Sequence, residues 1–156
     1  MLEPPGSTDT AAWQRYFAMQ ANNAAWELST QPMDAAHAAE LLDAAHASAW
    51  HWKAVGTELN RMRATMLLAQ AHALAGHGAT ALAYAREMRD YFLARSDTPD
   101  WEIAFAHAVH AHAAHAAGRN DEHRASYAAA TSAVQAIAKP QDRAIVEKTF
   151  RLVPSP

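Results

Sequence analysis

Cysteine is absent from the chain of 156 residues, which excludes disulfides, thiolate nucleophiles and cysteine-ligated metal sites. Glycine and proline are scarce, with five and seven residues, and no segment shows the alternating β-branched pattern of a strand. Charge is nearly balanced: 13 Lys and Arg stand against 16 Asp and Glu, for a net charge of −3. A chain this close to neutral has no electrostatic attraction to nucleic acid or to an anionic membrane, so neither is predicted as a partner.

The sequence also lacks an apolar run long enough to span a membrane. Residues 64–85 carry no Asp, Glu, Lys or Arg, but Gly76, His77 and Gly78 interrupt them. Each half is shorter than the roughly 20 apolar residues that a span needs. Residues 1–10 show neither the basic nor the apolar region of a secretory signal. A cytoplasmic location is therefore expected.

Alanine is the residue that the chain has in abundance, with 41 copies against 23 for Leu, Ile, Val and Phe together. Alanine is the best helix former, and the low net charge argues against disorder, so the composition predicts one all-α domain. The first helix carries an apolar stripe at helical spacing: Trp13, Phe17, Ala21, Ala24 and Leu28. Caps and breakers predict seven helices: Thr8 or Asp9 to about Leu28, about Pro32 to Val55, Thr57 to Gly76, about Ala79 to Arg95, a fifth ending at Gly118, Asn120 or Asp121 to before Pro140, and about Asp142 to Phe150.

The turns between paired helices recur near Gln31, Gly76 and Gly118, a spacing in the range of helical solenoids. Matching positions, of which the alanines are small enough to let two helices approach closely, recur around the two glycine turns: Leu68, Ala69, His72, Ala81, Leu82 and Ala85 in one, and His110, Ala111, Ala114, His123 and Tyr127 in the other. On these residues, 57–139 resembles the tetratricopeptide-like superhelical class, although its period is longer than the usual repeat and His123 stands where Ala is expected.

This resemblance implies an all-α, right-handed superhelix of about three antiparallel helical hairpins plus a short C-terminal capping helix. The alternative is an ordinary six-helix bundle whose hairpins are similar in length. The expected boundaries are a disordered tail over 1–8, one helical-repeat domain over 9–150 and a C-terminal tail over 151–156.

Two further segments resemble a bacterial family of uncharacterised helical proteins. The first runs from Ala45 through Trp50, His51 and Trp52, and the second covers residues 100–106, Asp-Trp-Glu-Ile-Ala-Phe-Ala. Val55-Gly56-Thr57, Asn60 and Arg63 extend the first segment. The resemblance covers most of the chain and assigns no activity to it. No cofactor is expected.

No phosphate loop, nucleophile elbow, zinc-protease helix or calcium loop is present. Histidine is therefore the residue type best able to support catalysis or metal binding in this chain. Of the ten histidines, the fifth helix carries His107, His110, His112 and His115. Pairs three residues apart can direct two imidazoles at one metal, with His46, His72 or Glu102 as further ligands. The alternative is that these histidines are partly buried spacers of the packing face. In that case, burial would lower their pKa, above all for His107 and His110.

The second helix offers another arrangement, with His37, Glu40, Asp43 and His46 each three residues apart. Asp43 could orient His46 as a base, or the row could be an exposed charged edge. Trp50 lies one turn beyond His46 and could form an aromatic shelf with it, whereas Trp52 continues the apolar stripe and is expected in the core.

In a tetratricopeptide-like superhelix, the first helix of each hairpin lines the concave face. That face would carry Arg63, Met66, Gln70 and Ala73 on the third helix, and Phe105, Ala108, His112 and His115 on the fifth. The mixture of apolar and basic side chains fits an extended peptide, or a carboxylate held by Arg63. As a surface residue, Arg63 is expected to contribute little to stability.

These patterns predict a scaffold that binds a protein or peptide, with a second copy of the chain among the candidates, and that has no catalytic activity of its own. The alternative is a small histidine-rich metal-binding protein or enzyme that uses the second and fifth helices. The predicted ligand-binding residues are Arg63, Gln70, His112, His115, His46 and Trp50.

Overall fold

The computed structural model describes residues 2–6 and 8–156, and within these ranges it contains helices and no strand. The all-α prediction is therefore confirmed for the described residues. The predicted disordered tail includes Met1 and Ser7, which lie outside the described residues. The seven helices are α1 (Thr10–Ser29), α2 (Ala35–Val55), α3 (Glu58–Leu74), α4 (Gly78–Ala94), α5 (Asp100–Ala116), α6 (Asn120–Ala136) and α7 (Pro140–Phe150).

Side-chain caps fix the start of the first three helices. Asp9 accepts from the N–H of Ala11, and Thr57 forms a reciprocal capping box with Asn60, as the sequence predicted for both starts. The start of α2 is a correction, because its cap is Asp34 and not the turn at Pro32. The Asp34 side chain satisfies an N–H in the first turn of α2, which places Pro32 outside the helix.

The same turn closes the second and third hairpins. Gly76 has φ of 77° and Gly118 has φ of 68°, a left-handed conformation that favours glycine. In the first turn, the N–H of His77 donates to the carbonyl of His72 at 2.8 Å. In the second, the N–H of Arg119 donates to the carbonyl of Ala114 at 2.9 Å. Both are Schellman motifs, so the two turns share one hydrogen-bond pattern.

The helices pack in order along the chain. Helices α1 and α2, α3 and α4, and α5 and α6 form antiparallel hairpins, and α7 packs against α5 and α6. Each odd-numbered helix also contacts the next odd-numbered helix, from α1 to α7. Helix α4 also packs against α5. Gly78 permits the two backbones to approach closely there, because a Cβ on Gly78 would lie 2.2 Å from the carbonyl oxygen of Ala116.

Alanine and serine, rather than aromatics, form the buried face of α1. Ala18, Ala25 and Ser29 are fully buried, whereas Phe17 is 45% exposed, so the predicted aromatic stripe is displaced from the true packing face. The hydroxyl of Ser48 on α2 donates to the carbonyl of Ala18 at 3.2 Å, which requires the two backbones to lie close together. Small residues occupy this packing face because they permit the close approach of the two helices, and the aromatic side chains lie at its edge.

The main core joins α3, α4 and α5 with the ends of α6 and α7. Its largest fully buried side chains are Met88, Phe92, Val109, Ile137 and Val146. A second cluster holds the first hairpin against α3 through Ala25, Leu41, Ala45, Leu67, Leu68 and Ala71. Val153, in the segment predicted as a C-terminal tail, is also buried. Among the described helices, none is long and apolar enough to cross a bilayer.

Enlarging an alanine at the contact between α3 and α4 should destabilise the fold. Ala69 and Ala81 have no exposed surface and belong to the same cluster. We expect Ala69→Leu and Ala81→Leu each to lower the free energy of unfolding by about 1–3 kcal/mol, because the extra volume forces the helices apart. Urea denaturation followed by circular dichroism measures the change. Ala83→Leu, on the exposed face of α4, is the matched control, and equal stability of all three variants would contradict this packing register.

Candidate functional site

A cleft of about 500 Å³ opens where the odd-numbered helices meet. Every residue that lines it belongs to α1, α3, α5 or α7, or directly follows α1. We call it the odd-helix cleft. Its lining residues are Asn22, Trp26, Glu27 and Thr30 from the end of α1, Arg63 and Met66 from α3, Trp101, Glu102 and Phe105 from α5, and Ile145, Lys148 and Thr149 from α7.

An ion pair between α3 and α5 forms one part of the wall. The guanidinium of Arg63 donates from Nε to Oε1 of Glu102 at 2.6 Å, and from a terminal nitrogen to Oε2 at 3.1 Å. The Glu102 side chain is 2% exposed and that of Arg63 is 41% exposed. The guanidinium also lies 5.6 Å from the ring centroid of Trp101, a cation–π contact. Arg63 therefore reaches the cleft with its carboxylate-binding edge already occupied by Glu102.

Aromatic rings from two helices form the apolar part of the cleft. The ring centroid of Phe105 on α5 lies 5.6 Å from that of Trp26 on α1 and 6.2 Å from that of Trp101. Phe105 is buried, and the two tryptophans are half-buried. Large rings packed in this way form a rigid apolar wall, which costs little conformational entropy when a ligand binds.

Helix α7 supplies the exposed rim. Ile145 is 57% exposed, one of the few large apolar side chains that this chain leaves in solvent. Lys148 lies one turn further along and is also exposed. No ion pair involves Lys148 among the described residues. The rim thus combines an unpartnered apolar side chain with an available positive charge.

Sequence reasoning placed Arg63, Met66 and Phe105 on a shared face, and the structure brings these three together in the cleft. It missed the contributions of α1 and α7, namely Trp26, Glu27, Ile145 and Lys148. The displaced stripe assigned to α1 hid Trp26, and α7 was treated only as a cap. An isolated Ile145 beside Lys148 carries no periodic signal that could have revealed its role.

The other predicted ligand-binding residues lie outside the cleft lining. Gln70 is fully buried and His112 is 6% exposed, so the helices cover the continuation of the predicted concave face. His115 is exposed, and its ring lies 5.0 Å from that of His123. Trp50 is 70% exposed. The predicted set therefore does not converge on one site.

The polar residues of α2 have contacts that differ from the predicted ones. His37 contacts Asp34 at 3.1 Å, and the partner of His46 is His72 on α3, rather than Asp43. Since His46 is held by another imidazole, the structure gives it no carboxylate to orient it as a base.

The four histidines of α5 point to different surroundings. His110 is buried, with its Nδ1 2.8 Å from the hydroxyl of Ser126 and its Nε2 3.9 Å from Glu122. This serine, histidine and acid set resembles a nucleophilic arrangement, but Ser126 is 2% exposed and cannot meet a substrate. His107 is half-buried, and Nδ1 of His112 has no hydrogen-bond partner among the residues that the structure describes. Within residues 2–6 and 8–156, no group of three or more His, Asp or Glu side chains is arranged to hold a metal ion.

Burial is what governs the chemistry of these imidazoles. Desolvation lowers the pKa of His110 to about 4, with a smaller effect of Arg89 in the same direction. Desolvation also lowers the pKa of His112 to about 4, assisted by charge on His115 and His123. Both side chains are therefore neutral near pH 7, as expected of packing residues rather than of surface acids or bases.

Comparison with known proteins adds no family to this description. No family model, curated protein or solved structure matches the chain.

Proposed function

We propose that the chain is a binding module for a protein or peptide, that its ligand occupies the odd-helix cleft, and that it has no catalytic activity of its own. The observation that carries the proposal is the origin of the lining residues, all of which come from or directly follow alternate helices. A volume of about 500 Å³ is in the usual range of ligand sites. Clefts between packed helices are a common place for such sites.

We further propose that the hairpins form a right-handed superhelix of the tetratricopeptide-like class, with α7 as its cap. The successive contacts between odd-numbered helices support this arrangement. The identical Schellman turns at Gly76 and Gly118 support it as well. An ordinary bundle requires neither the regular order of contacts nor the repeated turn. In the superhelix, the odd-helix cleft is the concave surface.

The lining residues indicate the chemistry of the ligand. Trp26, Phe105 and Ile145 offer apolar contacts from three helices, and apolar anchors in such pockets dominate peptide affinity. Arg63 is neutralised by Glu102, so the cation that remains available is Lys148 on the rim. The best-fitting ligand is therefore a short segment with a bulky aliphatic or aromatic side chain and an acidic residue beside it.

Selection of peptides from a random display library on the immobilised chain tests the proposal. We expect enriched peptides to carry a bulky apolar residue next to an acid, and Ile145→Ser to weaken their binding by about tenfold, since loss of an apolar anchor costs about 1–2 kcal/mol. Leu93→Ser, which removes a 40% exposed side chain outside the cleft lining, is the matched control. Isothermal titration calorimetry gives the dissociation constants.

Charge reversal supplies a second arm of the same experiment. Lys148→Glu should weaken binding of acidic peptides, and Lys53→Glu, on the exposed surface of α2, should not. Failure to enrich any peptide, or equal affinity of Ile145→Ser and Leu93→Ser, would reject the cleft as a peptide site. Sedimentation of the wild type and of Ile145→Ser distinguishes a peptide from a second copy of the chain as the occupant of the cleft. If a second copy occupies the cleft, Ile145→Ser should change the oligomeric state. If a peptide does, it should not.

A further inference from the structure

Three histidines outside the cleft form a continuous chain of ring contacts. Nε2 of His46 on α2 lies 3.2 Å from Nε2 of His72 on α3, and Nδ1 of His72 lies 3.1 Å from Nδ1 of His77 in the following turn. His72 is buried, while His46 and His77 are exposed. The ring of Tyr84 on α4 stacks on His72 with centroids 5.8 Å apart. One shared imidazole therefore connects α2, α3 and the start of α4.

Among the described residues, no carboxylate compensates a positive charge on His72. Burial lowers the pKa of His72, and charge on His46 and on His77 lowers it further. The titratable groups that face His72 are these two imidazoles and the phenol of Tyr84. No carboxylate, lysine or arginine of the described residues is among the groups that shift its pKa. Added protons must therefore be accommodated by the imidazoles themselves.

Proton counting limits the charge that the arrangement can hold. Each contact between two ring nitrogens needs one proton between them, because one nitrogen must donate and the other accept. The outer nitrogens, Nδ1 of His46 and Nε2 of His77, can each hold one more. With one proton in each of the two contacts and one on each outer nitrogen, the three rings hold four protons and keep both contacts. Three neutral imidazoles carry three protons. A fifth proton places two N–H groups face to face at one contact.

We propose that His46, His72 and His77 form a pH-sensitive latch that holds its first added proton with both contacts intact and opens one contact on taking up a second. The first proton can reside on either exposed ring, because the donor and acceptor roles along the chain simply reverse. The second releases either α2 or the α3–α4 turn from His72. The latch is independent of the ligand proposed for the odd-helix cleft.

Nuclear magnetic resonance of the histidine ring nitrogens in the full chain tests the latch. We expect the ring nitrogens to keep both contacts on uptake of the first added proton and to lose one contact on uptake of the second. With the loss of that contact, amide hydrogen exchange should accelerate around His46 or around His77. Loss of a contact on the first added proton, or an unchanged exchange rate after the second, would overturn the proposal.

Variants assign the coupling to the shared ring. His72→Phe keeps an aromatic ring against Tyr84 and removes both shared nitrogens, so acid should no longer accelerate amide exchange selectively around His46 or His77. His37→Gln, which removes a histidine of α2 outside the latch, should preserve the acceleration. Persistence of the acceleration in His72→Phe would overturn the latch.

A second variant covers failure of His72→Phe to fold. The His77 side chain makes no capping bond to α4, so His77→Ala should leave the fold intact. In this variant only the contact between His46 and His72 remains, so acid should accelerate amide exchange around His46 and no longer in the turn between α3 and α4. The absence of any acceleration around His46 would overturn the proposal in the same way.

Discussion

Arg63→Ala should lower the free energy of unfolding by about 2–4 kcal/mol, a far larger loss than its place in an open cleft would indicate. The reason is Glu102, whose buried carboxylate loses the bidentate partner that neutralises it. Removing one partner of a fully buried pair costs about 3–5 kcal/mol, and the partial exposure of Arg63 reduces that figure because water screens part of the interaction. Urea denaturation at pH 7 measures the loss. The earlier expectation that Arg63 contributes little to stability is thereby replaced.

Two further variants separate the buried charge from simple loss of contacts. Arg63→Met combined with Glu102→Met should recover most of the stability, because it removes the unpaired carboxylate together with its partner. Arg95→Ala, which breaks an exposed bidentate pair with Asp97, should stay close to the wild type. Equal stability of Arg63→Ala and Arg95→Ala would show that Glu102 does not depend on Arg63.

Lowering the pH from 7.5 to 5 should reduce the free energy of unfolding by about 2–4 kcal/mol through His110 and His112. Burial holds the pKa of both at about 4 in the folded chain, below the value of about 6.5 of an unfolded histidine. The unfolded chain therefore binds protons first. Their stabilisation is complete above pH 6.5 and is lost as the pH falls from 6.5 towards 4, by about 1–2 kcal/mol for each residue at pH 5.

Thermal and urea melts at the two pH values measure this loss. The double variant His110→Gln, His112→Gln should retain a clearly smaller difference between pH 7.5 and pH 5, whereas His37→Gln should behave as the wild type. Carboxylates titrate mostly below this window and should not imitate the effect. Identical melts at both pH values would mean that the folded chain takes up these protons as readily as the unfolded chain does.

The sequence predicts only part of which histidines have a lowered pKa. The sequence predicted a lowered pKa for His107 and His110, on the argument that they are neighbours on a packing face. In the structure, burial lowers the pKa of both His107 and His110. The two histidines whose pKa falls to about 4, however, are His110 and His112. Helical periodicity indicates which face of a helix packs, but it cannot rank the burial of the residues across that face.

The sequence by itself determined the seven helices of the described residues and most of their ends, although it placed the start of α2 at Pro32 instead of after Asp34. Alanine abundance, the caps at Asp9 and Thr57 and the left-handed turns at Gly76 and Gly118 act over a few residues, so the local chain contains the information that sets the helices and their breaks. The repetition of the hairpins followed from the spacing of the same turns. The helical conformation within each helix is predictable from the local sequence, without reference to the helices that pack against it.

Only the tertiary structure decided which side chains meet. The pairing of Arg63 with Glu102, the junction of Trp26 with Phe105 and the shared imidazole of His72 each join residues from different helices. Such contacts depend on the rotation of one helix against another, and in this chain small residues such as Gly78 and Ala18 set that rotation through backbone approach. Alanine occurs on every face of these helices, so the sequence does not mark which alanines make the contact. The cleft and the histidine latch are therefore consequences of packing that the pattern of residue types leaves open.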